Sequence, residues 1–85
     1  MLTSESVKFI RLLTDLTQNE LAEKLKVDRS LISRIEGGKR TITPTLVRQL
    51  KEIFHLKGWS ESDLFLIYEV IKIRKLKHVT RKDGL

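Results

Sequence analysis

Apolar residues recur along this chain at intervals of three and four, the spacing of an α-helix with one buried face. Val7, Phe9, Ile10, Leu12, Leu13 and Leu16 predict a first helix with a wide apolar face. Thr3 or Ser4 caps it, and it runs to about Asp15. Thr17-Gln18-Asn19-Glu20 has the form of a capping box, in which the threonine hydroxyl and the glutamate carboxylate each serve the other's backbone amide. That sets the start of a second helix with Leu21, Ala22 and Leu25 inward. Asp28 is the next capping residue, its carboxylate suited to the positive end of the helix it opens. The third helix turns Leu31, Ile32 and Ile35 inward and leaves Arg29, Ser30, Ser33 and Arg34 outward. Gly37-Gly38 stops it, because glycine tolerates the left-handed conformation that closes a helix.

Thr43-Pro44 restarts the chain with a capping threonine and a proline at the first helical position, where no amide is needed. The fourth helix runs to about Leu56 with Leu46, Val47, Leu50, Ile53 and Phe54 on its buried side. Lys57-Gly58-Trp59 breaks it, and Trp59 is expected to anchor the fifth helix. Ser60-Glu61-Ser62-Asp63 caps that helix, which reaches about His78, with residues 80–85 frayed. No stretch alternates with period two, so no strand is expected. The pattern is all-α: five helices in one domain spanning residues 1–85.

Charge adds a location to this outline. The formal net charge is +6, and it is unevenly spread. Residues 24–51 carry eight Lys/Arg against Asp28 and Glu36, and residues 72–85 carry six against Asp83 alone. The two remaining segments are net acidic. A clustered basic face is the electrostatic footprint of a polyanion binder. The first basic block coincides with the second and third helices.

Other chemistries find little support. There is no cysteine, hence no disulfide and no thiolate metal site. His55 and His78 stand alone without a carboxylate at ligand spacing, so no metal and no cofactor are expected. The serines lack a histidine base in any nucleophilic arrangement, and no phosphate-cradling glycine loop is present, so no enzyme is expected. No apolar run approaches the ~18 residues a membrane span needs, and the N-terminus lacks a basic-then-apolar signal. A soluble, untargeted chain is the expectation.

Residues 17–40, TQNELAEKLKVDRSLISRIEGGKR, resemble the Cro/lambda-repressor-like (XRE-type) helix-turn-helix family. The match is carried by Thr17-Gln18, Glu20-Leu21-Ala22, Leu25, Val27, Ile32-Ser33, Ile35-Glu36 and Gly38-Lys39. It extends more loosely over residues 5–56, leaving residues 57–79 as an additional C-terminal helix. Lys26 departs from the pattern, which usually has glycine in the turn. The resemblance implies a five-helix lambda-repressor-like domain and a transcriptional regulator of double-stranded DNA. Its third helix would lie in the major groove.

Carried over position by position, the resemblance makes Arg29, Ser30, Ser33 and Arg34 base readers. Arginine offers a bidentate fork to guanine O6 and N7. Gln18, Lys39, Arg40, Thr43 and Thr45 fall at phosphate-contacting positions. Arg11 and Glu36 match an ion pair tying the first helix to the end of the third. The family also implies a prokaryotic or phage cytoplasmic setting.

The fifth helix carries more apolar residues than one buried face needs. Leu64, Ile67, Tyr68 and Ile71 form one stripe, and Phe65, Leu66, Val70 and Ile73 spread around the rest. These four are the candidate dimer surface of a homodimeric repressor on a pseudo-palindromic operator. The alternative is that the helix wraps into its own core. No small-molecule ligand is expected, so regulation would come through concentration, a protein antagonist or proteolysis. Two rival readings stay open: a protein-interaction module on the same fold, antirepressor or antitoxin-like, and a nonspecific nucleic-acid binder.

Overall fold

The computed structural model describes residues 2–84, with side chains described through Lys75. Five helices follow in order: α1 (Ser4–Leu13), α2 (Gln18–Leu25), α3 (Arg29–Glu36), α4 (Pro44–Leu56) and α5 (Glu61–Gly84). No strand occurs among the described residues.

Local chemistry sets most of the helix starts. Thr17 Oγ1 accepts from the Glu20 amide at 3.0 Å, and Glu20 Oε1 accepts from the Thr17 amide at 2.8 Å. Thr43 caps α4 by accepting from the Leu46 amide at 3.2 Å, with Pro44 in the first turn. Ser60 and Asp63 cap α5 reciprocally. Each such cap is worth about 1 kcal/mol. Thr3 opens α1 in the same way, with Ser6 completing the box, its hydroxyl buried and bonded to the Thr3 backbone.

The core is built from all five helices. Val7 and Ile10 of α1, Leu21, Ala22 and Leu25 of α2, Ile32 of α3, Leu50 and Phe54 of α4, and Leu64 and Ile67 of α5 meet in one cluster. Leu16 joins it from the α1–α2 connection, and Trp59 packs half-buried against its edge. Ala22 is a small buried residue on α2, the helix that packs against α3.

Several sequence expectations need correction. The first helix ends at Leu13, not near Asp15, and Asp15 is left-handed with φ 59°. Aspartate tolerates that conformation better than most residues, and the turn lets Leu16 drop into the core. The wide apolar face of α1 is not buried as a whole. Only Val7 and Ile10 face inward, flanked by buried Ser6 and Arg11, while Phe9, Leu12 and Leu13 stay exposed. The turn after α3 uses Gly38 (φ 75°) as its left-handed residue, not Gly37 (φ −83°). On α4 only Leu50 and Phe54 are fully buried, with Leu46, Val47 and Ile53 half-buried. The fifth helix runs past His78 as far as Gly84. The side chains of the second basic block beyond Lys75 lie outside the described residues.

Candidate nucleic-acid interface

The helix-turn-helix unit is α2, the turn Lys26–Asp28 and α3. Lys26, where the pattern usually has glycine, is left-handed (φ 58°, ψ 46°), and a non-glycine residue there costs about 1–2 kcal/mol. Its backbone shape lets the Val27 amide bond back to the Ala22 carbonyl at 3.0 Å, sealing the end of α2. Val27 then packs half-buried against the core.

On α3 the burial alternates sharply. Ile32 and Ile35 are buried, and Arg29, Ser30, Ser33 and Arg34 are all exposed. The four share one polar face because the inward pair anchors the opposite one. Arg34 is not extended into solvent. Its Nε donates to the Ser30 carbonyl at 3.3 Å, and an Nη reaches the Ser30 hydroxyl at 3.5 Å. Both bonds are long and exposed, so they bias the guanidinium along the helix at little cost to release. Ser30 thus steers the arginine one turn above it.

The unit is held from beneath by Glu36. Its carboxylate accepts from Arg11 Nε at 2.7 Å and from an Arg11 Nη at 3.0 Å, a bidentate pair with side chains only 8% and 3% exposed. Gln18 Nε2 donates to the same carboxylate at 3.0 Å. The remaining Arg11 Nη donates to the Leu16 carbonyl at 2.8 Å. One buried carboxylate therefore joins α1, the start of α2 and the end of α3. Among the described residues no buried side-chain polar atom lacks a partner.

That network places Gln18 differently from a free surface residue. One N–H of its half-buried amide is committed to Glu36, leaving the other N–H and the oxygen without a hydrogen bond among the described residues. Lys39 and Arg40 sit exposed on the loop after α3, which folds back through a Lys39 amide bond to the Arg34 carbonyl at 2.8 Å. Thr43 and Thr45 are exposed at the start of α4. There Pro44 brings no N–H and Thr43 caps Leu46, so Thr45 supplies the backbone donor of the first turn.

Asp28 differs from the expectation. It occupies the N-cap position of α3 with extended backbone, but its carboxylate makes no capping hydrogen bond. The first turn closes instead through the Leu31 amide and the Asp28 carbonyl, 3.0 Å apart. Glu20 takes part in the capping box at the start of α2. Its hydrogen bonds from the Thr17 amide and hydroxyl hold its carboxyl below the ordinary 4.5. Among the described residues no helix is long and apolar enough to cross a membrane, and no His/Cys/Asp/Glu cluster could hold a metal ion.

A model of a helix-turn-helix family matches residues 7–64, from the middle of α1 into the first turn of α5. No curated protein and no solved structure matches the chain. With the two crossed helices, the polar outer face of α3 and this match over most of the chain, the protein belongs to the XRE-type, Cro/lambda-repressor-like helix-turn-helix family of DNA-binding transcription regulators.

Proposed function

We propose that the protein is a sequence-specific repressor that binds a pseudo-palindromic operator as a homodimer. The observation that carries the base-reading part is the outer face of α3. Four polar side chains, two of them arginines, stand exposed on a helix whose opposite face is locked into the core. Arg29 and Arg34 take guanine edges, with Ser30 and Ser33 beside them. Lys39, Arg40, Thr43, Thr45 and the free half of the Gln18 amide hold the phosphates on either side.

The homodimer reading rests on a second surface. Leu66, Val70 and Ile73 follow at i, i+4 and i+7 on α5, each about half exposed or more. Phe9 and Leu12 of α1 meet Val70 of this strip along an open groove of about 590 Å³, whose lining also includes Glu5, Lys8, Arg74 and Lys75. Leu13 is a further exposed apolar residue on α1. Phe65 lies on a neighbouring strip of α5, against Tyr68 with ring centroids 6.5 Å apart. An apolar surface of this extent on so small a domain favours a second copy as its cover. Half-sites then lie about one helical turn, ~34 Å, apart or a multiple of it.

Selection of bound sequences from a random duplex pool tests both parts together. The expected result is a palindromic consensus with a G·C pair in each half. A pool that returns no consensus overturns base reading, and a single unrepeated half-site overturns the homodimer.

A further inference from the structure

Asp28 is the one N-cap among those described whose side chain does no capping. Thr3, Thr17, Thr43 and Ser60 each accept a hydrogen bond from the helix they open. Asp28 leaves that work to its own carbonyl, which takes the Leu31 amide at 3.0 Å. Its side chain is exposed and makes no hydrogen bond or ion pair among the described residues. An acid in this position stands inside the most basic block of the chain, directly before Arg29.

Placement gives that uncommitted carboxylate a use. In a helix-turn-helix the N-terminal residues of the second helix contact the base edges. An ionised carboxylate can only accept hydrogen bonds. In the major groove the donors are the N4 amino group of cytosine and the N6 amino group of adenine, whereas guanine and thymine present only acceptors along that edge. Phosphates repel it as well.

We infer that Asp28 is a specificity-determining residue of the DNA interface, selecting which strand carries the amino-bearing base, cytosine or adenine, at a pair next to those read by the arginines. It also penalises nonspecific docking, where the basic side chains alone would be content with phosphate. The arginines attract any duplex, and Asp28 makes that attraction conditional on the base presented.

This inference rests on the base-reading proposed above, so the experiment keeps the two apart. Wild-type protein, Asp28→Ala and Asp28→Ser are each taken through selection from the same random duplex pool, and their affinities for random duplex are measured. Serine restores a side-chain cap, so it guards against a failure of α3 to form. Both variants are expected to keep the positions read by Arg29 and Arg34 and to lose about a tenfold preference for cytosine or adenine at one position per half-site. Binding to random duplex should rise several-fold. If the wild type yields a consensus and both variants reproduce it unchanged, Asp28 reads nothing and the inference is overturned. If the wild type yields no consensus, base reading itself fails and the inference goes with it.

Discussion

The outer face of α3 and the α1/α5 face are both exposed, yet they are built on opposite terms. On α3 the exposed positions are polar and charged, and the support lies underneath: Ile32 and Ile35 in the core, and Glu36 bound by Arg11 and Gln18. The surface needs no cover, because water already satisfies it. On α1 and α5 the exposed positions are Phe9, Leu12, Leu66, Val70 and Ile73, which water does not satisfy. Among the described side chains, those two helices touch the core through narrow stripes and leave about half of their apolar residues outside it. The first surface is finished as a monomer, and the second is finished only by something placed on it. Exposure alone therefore says little, and the kind of side chain exposed decides the reading.

The largest expected effect strikes the support beneath the polar face. Glu36→Ala leaves the Arg11 guanidinium buried without its carboxylate. Removing one member of a buried ion pair costs about 3–5 kcal/mol. Urea unfolding should show that loss, with Gln18 also released at the start of α2. A loss below about 1 kcal/mol would mean that the pair is not the brace the geometry describes.

The apolar face is probed by Leu66→Glu combined with Val70→Glu. Both residues are exposed, so the fold should survive with an unchanged far-ultraviolet spectrum. Sedimentation should change from dimer to monomer, and operator affinity should fall about a hundredfold as two half-sites cease to be bound by one particle. A double variant that still sediments as a dimer sinks this surface. Truncation after Gly58 is a poorer probe, because it strips Leu64 and Ile67 from the core as well. Leu12→Glu sharpens the boundary: weaker dimerisation would show that α1 shares the face with α5.

Arg34→Ala addresses the polar face itself. Its side chain makes only long, exposed bonds to Ser30, so folding stability should change by no more than about 0.5 kcal/mol. Operator binding should weaken by about 1–3 kcal/mol while random duplex binding weakens far less. Equal losses on both would reduce Arg34 to a phosphate contact.

The two faces also differed in how far the chain announced them. The polar edge was legible because its caps and stops are local: Thr17 and Glu20 three residues apart, glycine after Glu36, and an inward Ile32–Ile35 pair that fixes the outward residues by helical geometry alone. The apolar face was legible on α5 and missed on α1. Phe9, Leu12 and Leu13 read as core residues because apolar spacing cannot say which side of a helix finds partners. The buried side of α1 instead carries Ser6 and Arg11, polar residues acceptable there only because Thr3, Glu36 and Leu16 bond them. Those partners lie in other turns and other helices. Asp28 was misread for a related reason: its residue type and position suit a cap, but the first turn of α3 had already closed through the backbone.

Lys26 offers a smaller test at the hinge of the polar unit. It is exposed and left-handed, so Lys26→Gly relieves about 1–2 kcal/mol of strain and gives back part of that through the freer unfolded chain. A net gain of about 0.5–1 kcal/mol should raise the melting temperature by a few degrees. No rise would mean that the turn relaxes around lysine without strain.

The smallest effect concerns the start of α2 and has a definite sign in pH. The Thr17 amide and hydroxyl favour the ionised form of Glu20 and hold its carboxyl below the ordinary 4.5. A carboxyl lowered on folding stabilises the protein above its unfolded value, and that contribution disappears as the pH falls through the lowered one. Glu20 is exposed, so solvent keeps the contribution small. Glu20→Gln keeps an oxygen for the Thr17 amide but removes the titrating charge. Between about pH 6 and about pH 3 the wild type should therefore lose slightly more thermal stability than the variant. The difference should be local, seen as faster amide exchange at Thr17 in acid, with the apolar α1/α5 face unaffected. Parallel acid losses in both proteins would show that Glu20 titrates as an ordinary surface carboxylate and that the cap is held by the threonine hydroxyl alone.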